Sequence, residues 1–275
     1  MIKDIVIHLP LGNTAKTAVV DYGLSIAGAF KAHIAGVAFV PEVFVPAPGY
    51  MPRQTIDLLR KESEAAAKSA VTQFSAAAAR AGFEAETLTL DVGFADTGRS
   101  FGRVARCFDL VIVGQNDPDK RGADDIIVES ALFDSGRPLV VVPYIQSAPL
   151  KLDNVMVCWD GSRTAARAVA DAMPFLKRAG RVEIVIVANE PGKEKLIEGA
   201  DVGQHLARHG LNITVERVPA GDVDIGNVLL SHAADAGTDF LVMGGYGHSR
   251  MREFVLGGVT ARILSSMTVP VLMSH

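Results

Sequence analysis

Apolar positions in this chain come mostly in short unbroken runs. IKDIVIHL at 2–9, DLVIVG at 109–114, PLVVV at 138–142 and EIVIVA at 183–188 are the clearest. A strand with one wet face alternates apolar and polar residues, so continuous runs suit strands covered on both faces, as in a parallel sheet. The pattern predicts strands at 2–9, 34–40, 84–90, 109–114 and 138–142, then at 153–159, 182–188, 212–218, 239–244 and 269–273. Helix-forming stretches lie between them. KESEAAAKSAVTQFSAAAARAGF, from Lys61, is built from strong helix formers and meets a stop at Gly82. Strand and helix alternate throughout, which predicts right-handed crossovers and an open, doubly wound parallel sheet of the α/β class.

The pattern also repeats. TAKTAVVDYGLSIA from Thr14 matches TAARAVADAMPFLK from Thr164 in register, sharing Thr, Ala, Ala, Val and Asp. Each follows an apolar strand, IKDIVIHL or LDNVMVCW. Asp109-Leu-Val-Ile-Val-Gly114 answers Asp239-Phe-Leu-Val-Met-Gly244, and RPLVVVP from Arg137 answers VPVLMSH from Val269. Landmarks kept in one order predict a tandem duplication, with five-stranded domains at 1–147 and 151–275 and a linker near 146–153. The halves differ most between their second and third strands, where the first carries the Pro-rich PEVFVPAPGYMP and a long helix.

Composition narrows the class. The 275 residues, 49% hydrophobic and 21% charged, describe a globular chain with a sizeable core. A net charge of -4 gives no global electrostatic reason to bind nucleic acid. The N-terminal MIKDIVIHLP enters a strand at once, and no apolar stretch approaches the roughly 20 residues that span a bilayer. A cytoplasmic protein with no membrane partner is expected. Cys107 and Cys158 are too few for a disulfide framework, form no CxxC pair, and read as buried free thiols.

Ligands of open parallel sheets bind beyond the carboxyl ends of the strands. In the second half those ends deliver Asp160, Ala188-Asn189, and the loop MGGYGHSRMREFVLGGVT from Met243. Gly244 and Gly247 open that loop; Gly257 and Gly258 precede Val259, Thr260 and a helix. Glycines let backbone N–H groups approach an anion, and a helix N-terminus adds its dipole. A phosphate chain suits such a loop, Thr260 brings a hydroxyl to the same end, and Asp160 can accept hydrogen bonds from a ribose or base. Neither Rossmann GxGxxG nor Walker A is present: the first strand of this half is followed by DGSRTA, and GK[ST] occurs nowhere.

The spacing G-x2-G-x9-G at Gly244, Gly247 and Gly257 resembles the universal stress protein family, as do Val157-x-x-Asp160-Gly161-Ser162 and the closing Val269-Pro-Val-Leu272. The resemblance covers the whole chain as two tandem domains of the adenine nucleotide alpha hydrolase-like type, with the motif complete only in the second. ATP-binding members carry Ser or Thr where this chain has Gly258. By resemblance, Asp160 would meet the adenosine and Ala188 the adenine. Met243 and Gly244 would line the ribose, and Gly247, His248, Gly257, Gly258, Val259 and Thr260 would surround the phosphates. The implied ligand is ATP or a related adenine nucleotide, with or without magnesium. The family also implies intrachain pairing of the two domains through their last strands, 138–142 beside 270–273, and allows a further homodimer.

The first half departs from this pattern. Pro10 stands where the second half has Asp160, and Asp117 where it has a glycine; Asp124, Asp125 and Glu129 occupy the cradle, where carboxylates repel phosphate. A degenerate nucleotide site is expected there. Elsewhere, Asp201, His205 and His209 fall at i, i+4 and i+8 of a predicted helix, a spacing that can hold a metal between two imidazoles but also arises by composition. His8 and His33 read as structural, and Trp159 as a core or pocket-border residue. No nucleophile elbow exists, and Ser162 or Thr164 reads as a helix N-cap, so no catalytic residue is assigned. Three functions remain open. One is a stress-response binding protein holding an adenine nucleotide in its second domain. The others are a nucleotide-free interaction or scaffold protein with a vestigial glycine loop, and a slow ATPase.

Overall fold

The computed structural model describes residues 1–11, 16–42, 51–93, 96–115, 124–188, 199–245 and 258–275. They form two compact units: Ile2–Arg137 with Tyr144–Leu150, and Lys151–His275 with Pro138–Pro143 and Met1.

The first unit runs β1 (Asp4–His8), α1 (Lys16–Phe30), β2 (His33–Pro41), α2 (Arg53–Arg80), β3 (Ala85–Val92), α3 (Thr97–Ala105), β4 (Leu110–Gly114) and α4 (Asp124–Asp134). Its strands lie in the order β3-β2-β1-β4, and every pair is parallel. Successive strand residues point to opposite faces, yet Ile5, Val6 and Ile7 are all fully buried. Both faces of β1 are therefore covered, as the unbroken apolar run requires. Helix α2 begins at Arg53, two turns before the predicted Lys61, because its first turns are exposed and leave no apolar stripe to read. It stops where predicted: Gly82 takes φ 79°, and Phe83 N donates to Ala78 O at 2.9 Å.

The second unit contains β5 (Leu139–Val142), β6 (Asn154–Cys158), α5 (Arg163–Leu176), β7 (Arg181–Ala188), α6 (Gly199–Arg208), β8 (Ile213–Pro219), α7 (Ile225–Asp235), β9 (Phe240–Gly244), α8 (Gly258–Ser266) and β10 (Val271–Ser274). The order is β5-β10-β9-β6-β7-β8, parallel except that β5 runs antiparallel to β10 with Val141 opposite Val271. Strand 138–142 reads in sequence as the last of the first half, but it groups with the second unit. All four β5 residues are buried, and Leu139, Val140 and Val141 stand opposite Met273, Leu272 and Val271 of β10.

One device recurs in both units. Asp109 Oδ2 accepts the backbone N–H groups of Lys3 at 2.8 Å and Asp4 at 3.2 Å, while Asp109 N donates to Asp4 O at 2.9 Å. Asp239 treats Asn154 likewise, with Oδ2 accepting from Asn154 N and its own N donating to Asn154 O, both at 2.9 Å. The aspartates before β4 and β9 thus fix where β1 and β6 start, which sets the register of the carboxyl ends.

The two thiols differ from expectation. Cys107 is exposed, because it lies in the turn that follows α3, with its N–H donating to Val104 O at 3.2 Å. Cys158 is half-buried at the end of β6, where burial pushes its thiol well above the ordinary range, helped by the charge of Asp160. His33 is structural, bonded through Nδ1 to Asp4 Oδ1 at 2.7 Å. His8 is buried between Phe39 and Phe101, at ring-centre distances of 5.8 and 5.5 Å.

Candidate functional site

In the second unit β6 lies between β7 and β9, so the chain leaves β6 toward α5 and arrives at β9 from α7. This is the point in an open sheet where connections diverge and a crevice forms. The register sets Cys158 beside Val185 and Met243, so Asp160 and Gly244 both lie just beyond adjacent strand ends. Ala188 is the last residue of β7.

The turn after β6 is fixed by its own hydrogen bonds. Gly161 adopts φ 73°, a left-handed conformation that side chains resist, and this lets the chain double back. Asp160 Oδ1 then accepts from Ser162 N at 2.9 Å. Ser162 caps α5, its Oγ accepting from Ala165 N at 3.1 Å and lying 3.0 Å from Thr164 Oγ1. The Asp160 carboxylate is consequently exposed yet held in one orientation, with its second oxygen given no partner by the turn.

Gly244 meets this helix start from the other side. A Cβ at Gly244 would stand 2.5 Å from Ala165 N and 2.7 Å from Thr164 Oγ1, so no side chain fits. Backbone at the end of β9 therefore passes directly over the first turn of α5. Gly245 continues it, with N donating to Ser274 O at 2.9 Å and O accepting from or facing His275 Nδ1 at 3.0 Å. Met243 is 5% exposed, so only its main chain can reach a ligand. Among the described residues nothing lies within 4 Å of a Cβ built on Gly258, which opens α8; Val259 is half-buried and Thr260 is buried. Gly247, His248 and Gly257 lie outside the described residues.

Of the two N-cap alternatives in the sequence, Ser162 is the cap, and Thr164 is the wall against which Gly244 rests. The match of Thr14 to Thr164 was the available sign that this position matters to the fold.

The corresponding strand ends of the first unit carry different residues. Pro10 brings no side-chain acceptor to the end of β1, and His8, Phe39 and Phe101, all buried, pack ring against ring. Asp124 and Asp125 head α4, and Glu129 is exposed; Asp117 lies outside the described residues.

Residues 151–275 match the model of the Universal stress protein family. This second half of the chain, a little under half of its length, is thus similar to the universal stress protein family. A curated relative, Universal stress protein Slr1230 of Synechocystis, is 25% identical over 60% of this chain and 57% of its own length. The chain thus matches little more than half of that relative. A crystal structure of a universal stress protein from Archaeoglobus fulgidus DSM 4304 superposes on 98% of this chain and 97% of its own, with a TM-score of 0.73 at 18% identity. That likeness carries the universal stress protein fold across the chain. A shorter universal stress protein from Archaeoglobus fulgidus, solved in complex with dAMP, covers 52% of this chain and 99% of its own at a TM-score of 0.35 and 14% identity. This overlap is too loose to transfer a ligand. Among the described residues no helix is long and apolar enough to cross a membrane.

Proposed function

We propose that the second half of this chain binds an adenine nucleotide, ATP or a shorter relative, and acts as a stress-response binding module. The observation that carries the reading is the pairing of Asp160 with Gly244: a carboxylate locked by Ser162 N stands beside backbone that no side chain obstructs. A carboxylate at this place accepts ribose or base hydrogen bonds, and bare backbone with the start of α8 favours a phosphate. Magnesium would travel with the phosphates, since among the described residues no group of three His, Cys, Asp or Glu gathers to hold an ion. The first half is a degenerate copy of the same domain, with Pro10 where the second half has Asp160.

Denaturing the purified protein and identifying the released small molecule tests this directly. An adenine nucleotide in the supernatant, or a melting temperature that climbs with millimolar ATP or AMP, is the expected result. The absence of both release and stabilisation would defeat the proposal. A second reading, a nucleotide-free interaction protein with a vestigial glycine loop, is favoured by one feature: Gly258 stands where a Ser or Thr hydroxyl would meet phosphate.

A further inference from the structure

Helix α6 packs on β7 and β8 through one face and leaves the other to solvent. Val202 and Leu206 are buried at 7% and 0%, and a Cβ on Gly203 would touch Val215 at 3.1 Å. His205 is exposed beside this buried stripe, and His209 follows in the turn that closes the helix, with its N–H donating to Leu206 O at 3.0 Å. Positions i and i+4 stand one above the other, so the two imidazoles meet. Their ring centres are 5.0 Å apart and their planes 78° from parallel.

That separation has chemical meaning. Imidazole nitrogens bind zinc at about 2.0–2.1 Å, so two rings on one tetrahedral ion stand roughly 5 Å apart centre to centre. The backbone already holds the pair at chelating distance. Only rotation about the soft terminal torsions of two exposed side chains is needed to aim both nitrogens at one point.

We propose that His205 and His209 chelate a divalent transition metal of the zinc, nickel or copper class on the exposed face of α6. The two imidazoles supply two ligands, and water fills the remaining positions; the side chain of Asp201, the third member of the spacing read in the sequence, lies outside the described residues. Imidazole nitrogen selects these ions over magnesium and calcium, which take oxygen. The site is separate from the proposed nucleotide crevice and does not depend on it.

The test uses the full chain with any histidine tag removed and no nucleotide present. Isothermal titration with zinc, nickel and magnesium chlorides should give one equivalent of zinc or nickel per chain and no magnesium. His205→Asn and His209→Asn should each weaken zinc binding at least tenfold, and the double variant should abolish it. His33→Asn, which removes an imidazole already bonded to Asp4, should leave it unchanged. Circular dichroism of each variant checks that the exposed substitutions leave the helix content intact. No binding at millimolar zinc, or binding that survives the double substitution, overturns the proposal.

Discussion

Gly244 and Thr164 come so close that the space between them admits no further heavy atom: a Cβ on Gly244 would lie 2.7 Å from Thr164 Oγ1 and 2.6 Å from Thr164 C. Most of the obstructing atoms belong to backbone, so the neighbours cannot simply swing aside. Gly244→Ala should therefore destabilise the chain by about 1–3 kcal/mol, the usual effect of overpacking. The same change should weaken adenine nucleotide binding, because the backbone that lines the crevice must move away from α5. Urea denaturation with an unchanged slope, alongside a nucleotide titration, measures both effects. A variant as stable as the parent would mean that the contact is looser than it stands.

Much of this arrangement was legible in the sequence, for a physical reason. Strands buried on both faces must be apolar at every position, so β1, β4, β5, β7 and β9 announce themselves as runs such as DIVIH and RVEIVIVA. Asp160 and Gly244 are found because strand ends, not side-chain contacts, define where an open sheet binds. The early turns of α2 were invisible because they touch little. The membership of β5 was illegible because an apolar run states that a strand is buried but not which neighbour covers it. Thr164 failed for the same reason: its contact with Gly244 links residues 80 positions apart, by the difference of their numbers, and no local spacing encodes it.

Asp160 separates ligand binding from folding. Its side chain is exposed, and its Oδ1 accepts from Ser162 N. Asp160→Ala should lower nucleotide affinity by about tenfold or more, while shifting stability by less than about 1 kcal/mol, as surface changes do. Calorimetric titration of ATP and of AMP into parent and variant reads the first number; a urea curve reads the second. Equal affinity in both proteins would remove Asp160 from the site.

Ser162 makes a narrower prediction. Its hydroxyl satisfies the Ala165 N–H at the open start of α5, and alanine cannot. Ser162→Ala should cost about 1 kcal/mol, and Ser162→Asp, which keeps an acceptor at the cap, should recover most of it. Comparing the three denaturation midpoints decides the matter. If alanine and aspartate are equally destabilising, the cap is not what orders the turn after β6.

Cys158 ties stability to pH with a definite sign. Burial at the end of β6, reinforced by the negative charge of Asp160, holds its thiol protonated well above the ordinary range. Once pH passes the ordinary thiol pKa of about 8.5, the unfolded chain releases this proton while the folded chain keeps it. The unfolded state then binds fewer protons, and stability falls as pH rises. Below that pH both states hold the proton, and the residue adds no slope. The stability difference between the parent and Cys158→Ala should therefore move in favour of the variant between pH 8 and pH 10. Denaturation midpoints of both proteins at the two pH values isolate this residue from the lysines and tyrosines that titrate in each. Thiol labelling gives the kinetic counterpart: exposed Cys107 should react promptly at pH 8, and Cys158 only as the chain unfolds. Prompt labelling of both cysteines in the native protein would show that the end of β6 opens far more readily than its packing implies.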